Sequence, residues 1–303
     1  MKKFLTFLMI MTLLGALYHY KEDINTFYVT HFSSTKRDTS LSYKNDYYRD
    51  FKYNYVSITN DFNVKDKKQL INIYYTIINS GIDEFTFYCT SEYKNCIRDV
   101  IDIAKDQEIL SNINSFVHPY NSFSSIETKY DSLGKVVLKI NKAYTPEQIS
   151  ETNKKVNEII SKKIKNTTDK KEIIKIVHDY VINNSKYDSE KSDKSISKYA
   201  SNIAYGPLIE GYGLCGGYTD SMAIFLDYYD IPNYKVISEN HIWNAVYLDG
   251  KWYHLDLTWD DPVTSNGTEV LEYNFFLIST KELIELETNQ HIFDKEVFSE
   301  VAN

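Results

Sequence analysis

The sequence is short of the residues that punctuate loops and staple small folds: 10 glycines, 5 prolines and 3 cysteines in 303 residues. So little glycine and proline excludes a collagen-like or low-complexity chain, and so few cysteines exclude a disulfide scaffold. A basic excess is also missing. The 34 Lys and Arg face 42 Asp and Glu, and the net charge of −8 argues against nucleic acid as the main partner. After the first 20 residues, no apolar run approaches the roughly 20 residues of a membrane span. Tyrosine is what abounds, with 27 residues in a chain that is 43% hydrophobic. That is material enough for one large domain or two smaller ones. The odd cysteine count asks which of the three stays unpaired.

Lys2 and Lys3 precede an apolar run over 4–17, which Lys21, Glu22 and Asp23 break. A short basic segment followed by such a run is the pattern of a secretory signal. No small-x-small cleavage site follows Leu17, so residues 1–20 read as a signal peptide or an uncleaved signal anchor. A buried N-terminal helix is the plain structural alternative. Either export reading sets the rest of the chain outside the cytoplasm, secreted or anchored, with the membrane met only through the N-terminal segment. Residues 21–60 are polar and rich in Tyr and Ser, the composition of a linker or stalk.

Residues 61–142 read as a small α/β accessory module. Leu70, Ile73, Tyr74, Ile77 and Ile78 share a helical face that stops at Gly81. A strand follows over 84–89, a second helix over 95–105, and two strand-like segments over 125–130 and 135–140. Cys89 and Cys96 fall at the end of the first strand and the start of the second helix. Outside the cytoplasm two such cysteines are expected to pair, the alternative being two free thiols. Pairing would leave Cys215 free.

Residues 143–303 open on Thr145-Pro146-Glu147-Gln148, a capping-box helix start with proline at the first helical position. Asp169 and Glu172 repeat that logic for a helix carrying Ile173, Ile176, Val177, Tyr180 and Val181. The lysines between 154 and 175 belong on solvated faces. The segment Gly211-Tyr212-Gly213-Leu214-Cys215-Gly216-Gly217-Tyr218 then leads into an apolar-periodic helix. Cys215 thus sits at a helix N-terminus, where unpaired N–H groups and the macrodipole favour a thiolate. The glycines allow tight turns and close backbone approach of a substrate. Alone, such a cysteine is more often an inert buried thiol.

Asp249-Gly250 separates two β-rich runs and signals a two-residue hairpin that pairs Leu248 with Lys251. In that register His241 and Asp256 lie on one face as diagonal neighbours, about 7–8 Å apart and within reach of a hydrogen bond. The other face carries Ile242, Val246, Leu248, Leu255 and Leu257, a core pattern. A thiol at a helix start with a His–Asp pair on a hairpin is what nucleophilic acyl chemistry requires. His118, His178, His254 and His291 have no comparable partners in the sequence and read as structural or surface residues. Tyr205 and Tyr212 are candidates to line a cleft or to pack in the core.

Three blocks carry a resemblance: 213–218 around Cys215, His241-Ile242-Trp243-Asn244, and Asp256-Leu257-Thr258-Trp259-Asp260-Asp261-Pro262. With His178-Asp179-Tyr180, Lys186-Tyr187-Asp188 and a strand over 275–279, they resemble the bacterial branch of the transglutaminase-like superfamily. The resemblance covers somewhat less than the C-terminal half. It implies an α+β, papain-like core in which a helix bearing the cysteine packs on an antiparallel sheet, with Cys215, His241 and Asp256 as catalytic residues. Crosslinking enzymes, cysteine proteases, amidases and silent members share that fold, so it does not choose the reaction. Relatives often carry an acidic or larger polar residue where this chain has Gly216. The backbone N–H of Cys215 is the first candidate oxyanion donor.

The expected function is a thiol acyl-enzyme on protein or peptide substrates, with transfer to an amine or to water. Cell-wall and surface proteins are candidate partners, and the alternative is a catalytically silent surface binding or scaffold protein. Asp260, Asp261, Asn266 and Glu269 form an acidic loop that lacks EF-hand ligand spacing and reads as turn-stabilising carboxylates. No metal or organic cofactor is expected.

Overall fold

A computed structural model describes residues 2–21, 24, 40–90, 92–131, 133–196, 198–262, 270–286 and 289–302. Helix α1, Lys2–His19, comes first, with Met9, Leu13, Leu14 and Tyr18 exposed. Among the described residues no helix is long and apolar enough to cross a membrane.

In the accessory region, α2 (Lys67–Asn79) starts where the Asp66 side chain accepts the Gln69 N–H and ends at Gly81, whose φ is +76°. Strand β1 (Glu84–Tyr88) follows, then α3 (Cys96–Lys105) and α4 (Gln107–Ser115). Strands β2 (Phe123–Tyr130) and β3 (Lys135–Lys142) complete an antiparallel sheet in the order β1-β3-β2. A disulfide joins Cys89 to Cys96 across a Cα–Cα distance of 5.6 Å, and Cys215 is the free cysteine.

The later half opens on α5 (Pro146–Ile159), whose capping box between Thr145 and Gln148 is formed in both directions. Helix α6 (Lys170–Asn184) begins with the Asp169 side chain accepting the Glu172 N–H. Strand β4 (Lys186–Tyr187) and the short helix α7 (Ser189–Lys194) lead on, and β4 pairs in parallel with β5 (Tyr212–Gly213). Helix α8 (Cys215–Tyr228) then packs on β6 (Asn233–Ile237) and β7 (Ile242–Leu248). Strand β8 (Lys251–Leu255) completes a three-stranded antiparallel sheet, β6-β7-β8. The hairpin register is the expected one, Leu248 opposite Lys251 and Asn244 opposite Leu255. Asp249 and Gly250 hold φ of 50° and 83°, the pair of positive values a type I′ turn needs. Helices α9 (Thr280–Leu286) and α10 (Ser299–Ala302) end the chain.

Packing corrects the expected boundaries. The later part of the 21–60 stretch, expected as a linker, is a structural strap; residues 22, 23 and 25–39 lie outside the described residues. Tyr53 and Val56 are buried in the core, and Arg49, also buried, bonds Asp227 through Nε and Nη2 and reaches Asn233 Oδ1 at 2.9 Å. The expected division at 142–143 is a division of sequence and not of packing. One buried cluster joins Leu70, Phe87 and Leu138 of the accessory region to Tyr234, Val236, Trp243 and Ala245 of the later sheet, with Phe275 and Phe298 beside them. The other face of that sheet, Val246, Leu248, Leu255 and Leu257, packs with Val177, Met222 and Phe225 from the helices. The sheet is therefore covered on both faces, and the alternation along β7 separates two cores instead of core from solvent.

The strand expected over 275–279 is mostly turn. Leu277 has φ of 53°, which breaks an extended run, and only Ile278 makes an antiparallel bridge, to His254.

Candidate active site

Cys215 is the first residue of α8, so its N–H lies among those a helix leaves without an intrahelical acceptor. The position is set from behind by the glycines that follow. A Cβ at Gly217 would fall 2.3 Å from the Ser201 carbonyl oxygen, and one at Gly216 would fall 2.7 Å from that of Asn202. The close approach read from these glycines is thus made by the chain's own backbone. It also explains the bare position after the cysteine, since a side chain there would strike Asn202. The Thr219 hydroxyl donates to the Cys215 and Ile242 carbonyls at 2.7 and 3.0 Å, tying the helix start to the start of β7.

His241 immediately precedes β7 and Asp256 immediately follows β8, each just past the paired rungs. His241 Nε2 donates to Asp256 Oδ2 at 2.5 Å, and the Cys215 thiol lies close enough to the same imidazole to help raise its pKa. Asp256 Oδ1 accepts the Thr258 and Trp259 N–H groups at 2.9 and 3.2 Å. The pair is buried, His241 7% and Asp256 2% exposed, whereas Cys215 is half-buried and reachable.

The electrostatics follow from that burial. Desolvation opposes a charge on His241, but the Asp256 charge and hydrogen bond, with the thiol adding, outweigh it and push the imidazole up to about 10. Desolvation likewise opposes the Asp256 carboxylate. The charge and hydrogen bond of His241, reinforced by His291, still hold it well below the usual carboxylate range. An imidazolium beside a carboxylate and a thiol can therefore persist at neutral pH.

His291 is the residue that sequence reasoning missed. The sequence points to a structural or surface residue, yet its Nε2 donates to Asp256 Oδ2 at 2.9 Å and its side chain is fully buried. It stands 35 residues from Asp256 with no motif around it, so no local signal marked it. His241, Asp256 and His291 offer ligand atoms within 4.8 Å of one another, a set that could hold a metal ion. Their contacts of 2.5 and 2.9 Å are those of hydrogen bonds. Tetrahedral ligation at the usual zinc–nitrogen and zinc–oxygen bond lengths would set ligand atoms about 3.3 Å apart, so an ion would have to spread the cluster.

The other expected residues take structural places. His254 Nδ1 accepts the Trp243 indole N–H, and burial pushes its pKa down to about 3, so it packs as a neutral ring. His178 contacts Asp260 Oδ2 at 3.0 Å in a second buried pair, and burial also brings His118 down to about 3. Asp260 and Asp261 tie down the loop, accepting the Phe275 N–H and the Tyr218 hydroxyl; Asn266 and Glu269 lie outside the described residues. The Tyr205 hydroxyl donates to Glu151, and Tyr212 stacks on Tyr199 at 4.1 Å. Tyr187 lies close enough to Cys215 that charge on the thiol, behind burial as the larger cause, raises its pKa.

A cleft of about 490 Å³ opens beside Gly216 and Ile242, the neighbours of Cys215 and His241. Its far wall is Asn114, Phe123 and Ser124, from the accessory region.

Residues 157–257 match the sequence model of the Transglutaminase-like superfamily. No curated protein matches the chain. Solved structures that resemble it include a crystal structure of a TGase, 17% identical over 45% of this chain and 44% of that one, with a TM-score of 0.34. A candidate cysteine protease from Cytophaga hutchinsonii is 16% identical over 48% of this chain and 65% of that one, with a TM-score of 0.28. In each case less than two thirds of the matched chain is spanned.

Proposed function

Since residues 157–257 carry a transglutaminase-like domain, of a family of thiol enzymes, we propose that this protein forms an acyl-enzyme on Cys215 and passes the acyl group to an amine or to water. The observation that carries the reading is the Cys215 thiol at a helix start, close to an imidazole that is itself held by a buried carboxylate. The thiol proton resides on His241 in an imidazolium–thiolate pair, and the thiolate sulfur attacks the carbonyl carbon of an amide. The backbone N–H of Cys215 faces the oxygen as charge builds on it. The C–N bond breaks as the His241 imidazolium returns its proton to the leaving nitrogen, which leaves a thioester. An incoming amine or water gives its proton to His241, attacks the thioester carbon and releases the cysteine. Asp256 remains a carboxylate throughout and keeps the imidazole oriented.

The cleft beside Gly216 and Ile242, the chain neighbours of Cys215 and His241, supports a substrate segment lying there, with Asn114, Phe123 and Ser124 of the accessory region along it. The basic and apolar N-terminus supports an exported or anchored setting, as does a disulfide between Cys89 and Cys96.

The test is incubation of the purified protein with an acyl-donor protein and a fluorescent alkylamine. Label incorporation that disappears in Cys215→Ala supports transfer to amines, and peptide release that disappears in the same variant supports hydrolysis. Neither product from protein whose Cys215 alkylates normally would overturn the enzyme reading in favour of a surface binding protein.

A further inference from the structure

We propose that His291 is a positioning residue for this chemistry, holding the same carboxylate oxygen of Asp256 that His241 bonds. The inference rests on the reading of Cys215, His241 and Asp256 as the reacting machinery, and it goes beyond the matched family segment, which ends at residue 257.

The carboxylate of Asp256 accepts four hydrogen bonds. Thr258 and Trp259 N–H groups hold Oδ1, while His241 Nε2 and His291 Nε2 share Oδ2. The backbone donors come from the turn after β8 and fix one oxygen. Among the described residues, His241 and His291 are the two that contact the other. Without His291, Oδ2 would keep His241 as its one described partner, and a small rotation about χ2 would carry the His241 ring with it.

His291 is itself immobilised by aromatic contacts. Its ring stacks on Phe275 at 5.2 Å and 15°, and meets Trp243 at 4.7 Å and Trp259 at 5.2 Å edge-on. It meets the His241 ring at 5.2 Å and 81°. Phe275 is placed in turn by Asp260 Oδ1, which accepts its backbone N–H. The C-terminal segment thus reaches back to set the geometry of a pair that the hairpin alone brings only near. The titratable groups facing Asp256 are His241, His291 and, more distantly, the neutral His254.

The hydrogen bond from His291 also spreads the charge on Oδ2 and keeps Asp256 ionised to lower pH. Its loss therefore has a signature that lost packing does not share. The experiment compares wild type, His291→Phe and His291→Gln, the last retaining an N–H donor. Rates of Cys215 alkylation by iodoacetamide are read across pH 4–9, with kcat and KM for amine incorporation and the thermal midpoint alongside.

His291→Phe is expected to lower kcat about 10²-fold with KM little changed, as a misplaced reacting group does. Its alkylation should fail at higher pH on acidification, about tenfold slower than wild type on that limb. His291→Gln should recover most of both effects. Unchanged kcat and alkylation profile in a folded His291→Phe overturn the proposal. Equal losses in both variants that track their thermal midpoints also overturn it, since His291 would then be only packing. The alkylation profile needs no substrate, so it decides the role of His291 even if the wild-type protein turns over none.

Discussion

His241 with Asp256 and His178 with Asp260 are built from the same parts. In each, a buried imidazole lies within 3.0 Å of a carboxylate that also accepts backbone N–H groups from the segment after β8. What differs is the second ring nitrogen. His178 Nδ1 lies 3.1 Å from Asp179 Oδ1, and its ring is covered by Tyr273 and Phe276. Both nitrogens therefore end on protein carboxylates, and the pair is a staple between α6 and the loop after β8. His241 gives one nitrogen to Asp256, and a reachable thiol lies close enough to its ring to raise its pKa. A buried histidine–carboxylate pair is thus not itself a sign of catalysis. Access and a nucleophile make the difference.

The comparison breaks most visibly if each carboxylate is made an amide. Asp256→Asn is expected to cost about 10³–10⁴ in kcat for amine transfer or hydrolysis, because the wrong imidazole tautomer is then favoured. Asp260→Asn should leave the turnover of the folded protein almost unchanged while costing about 3–5 kcal/mol of stability, as breaking a buried pair does. Kinetics and urea unfolding of the two variants side by side check both halves. A large kcat loss in Asp260→Asn, with the fold intact, would merge the two pairs into one function.

A pH titration of stability sharpens the contrast. His241 rises from its ordinary 6.5 to about 10 in the folded chain. Its contribution to stability is therefore fully present below about pH 6.5 and lost as pH rises through about 10. Unfolding free energies of wild type and His241→Gln should converge over that window, and curves that stay parallel would contradict the raised value. At the acid end, His254 and His118 are lowered to about 3, so the unfolded chain binds protons first and stability falls as pH drops from about 6.5 toward 3.

A smaller effect is expected at the disulfide, which closes a short loop in the accessory region. Replacing both Cys89 and Cys96 by Ser should cost about 2–3 kcal/mol of stability in denaturant titrations and leave Cys215 alkylation unaltered. The smallest is at the exposed cap of α5, where Thr145→Ala should cost about 1 kcal/mol with activity intact.

Much of the site was legible before the fold was known, because its signals are local. The turn at Asp249-Gly250 fixes the hairpin register, and the register fixes which side of the sheet His241 and Asp256 share. Cys215 at a helix start follows from the glycine run and the apolar period after it. The partners of His178 and His291 were illegible, since 82 residues separate His178 from Asp260 and 35 separate His291 from Asp256. The strap around Arg49 was misjudged for a related reason. Its polar composition resembles a linker, and only the contacts to Asp227 and Asn233 make it part of the core.

By itself, the sequence determined the caps, the helices, the hairpin and the alternation that set His241 and Asp256 on one face. Each rests on residues a few positions apart, where backbone geometry and turn chemistry leave few choices. Only the tertiary structure decided that the accessory region and the later sheet share one core, that His178 is a staple, and that His291 grips Asp256. Those contacts join distant parts of the chain, and what selects them is the burial of apolar faces against one another, which no short window of sequence records.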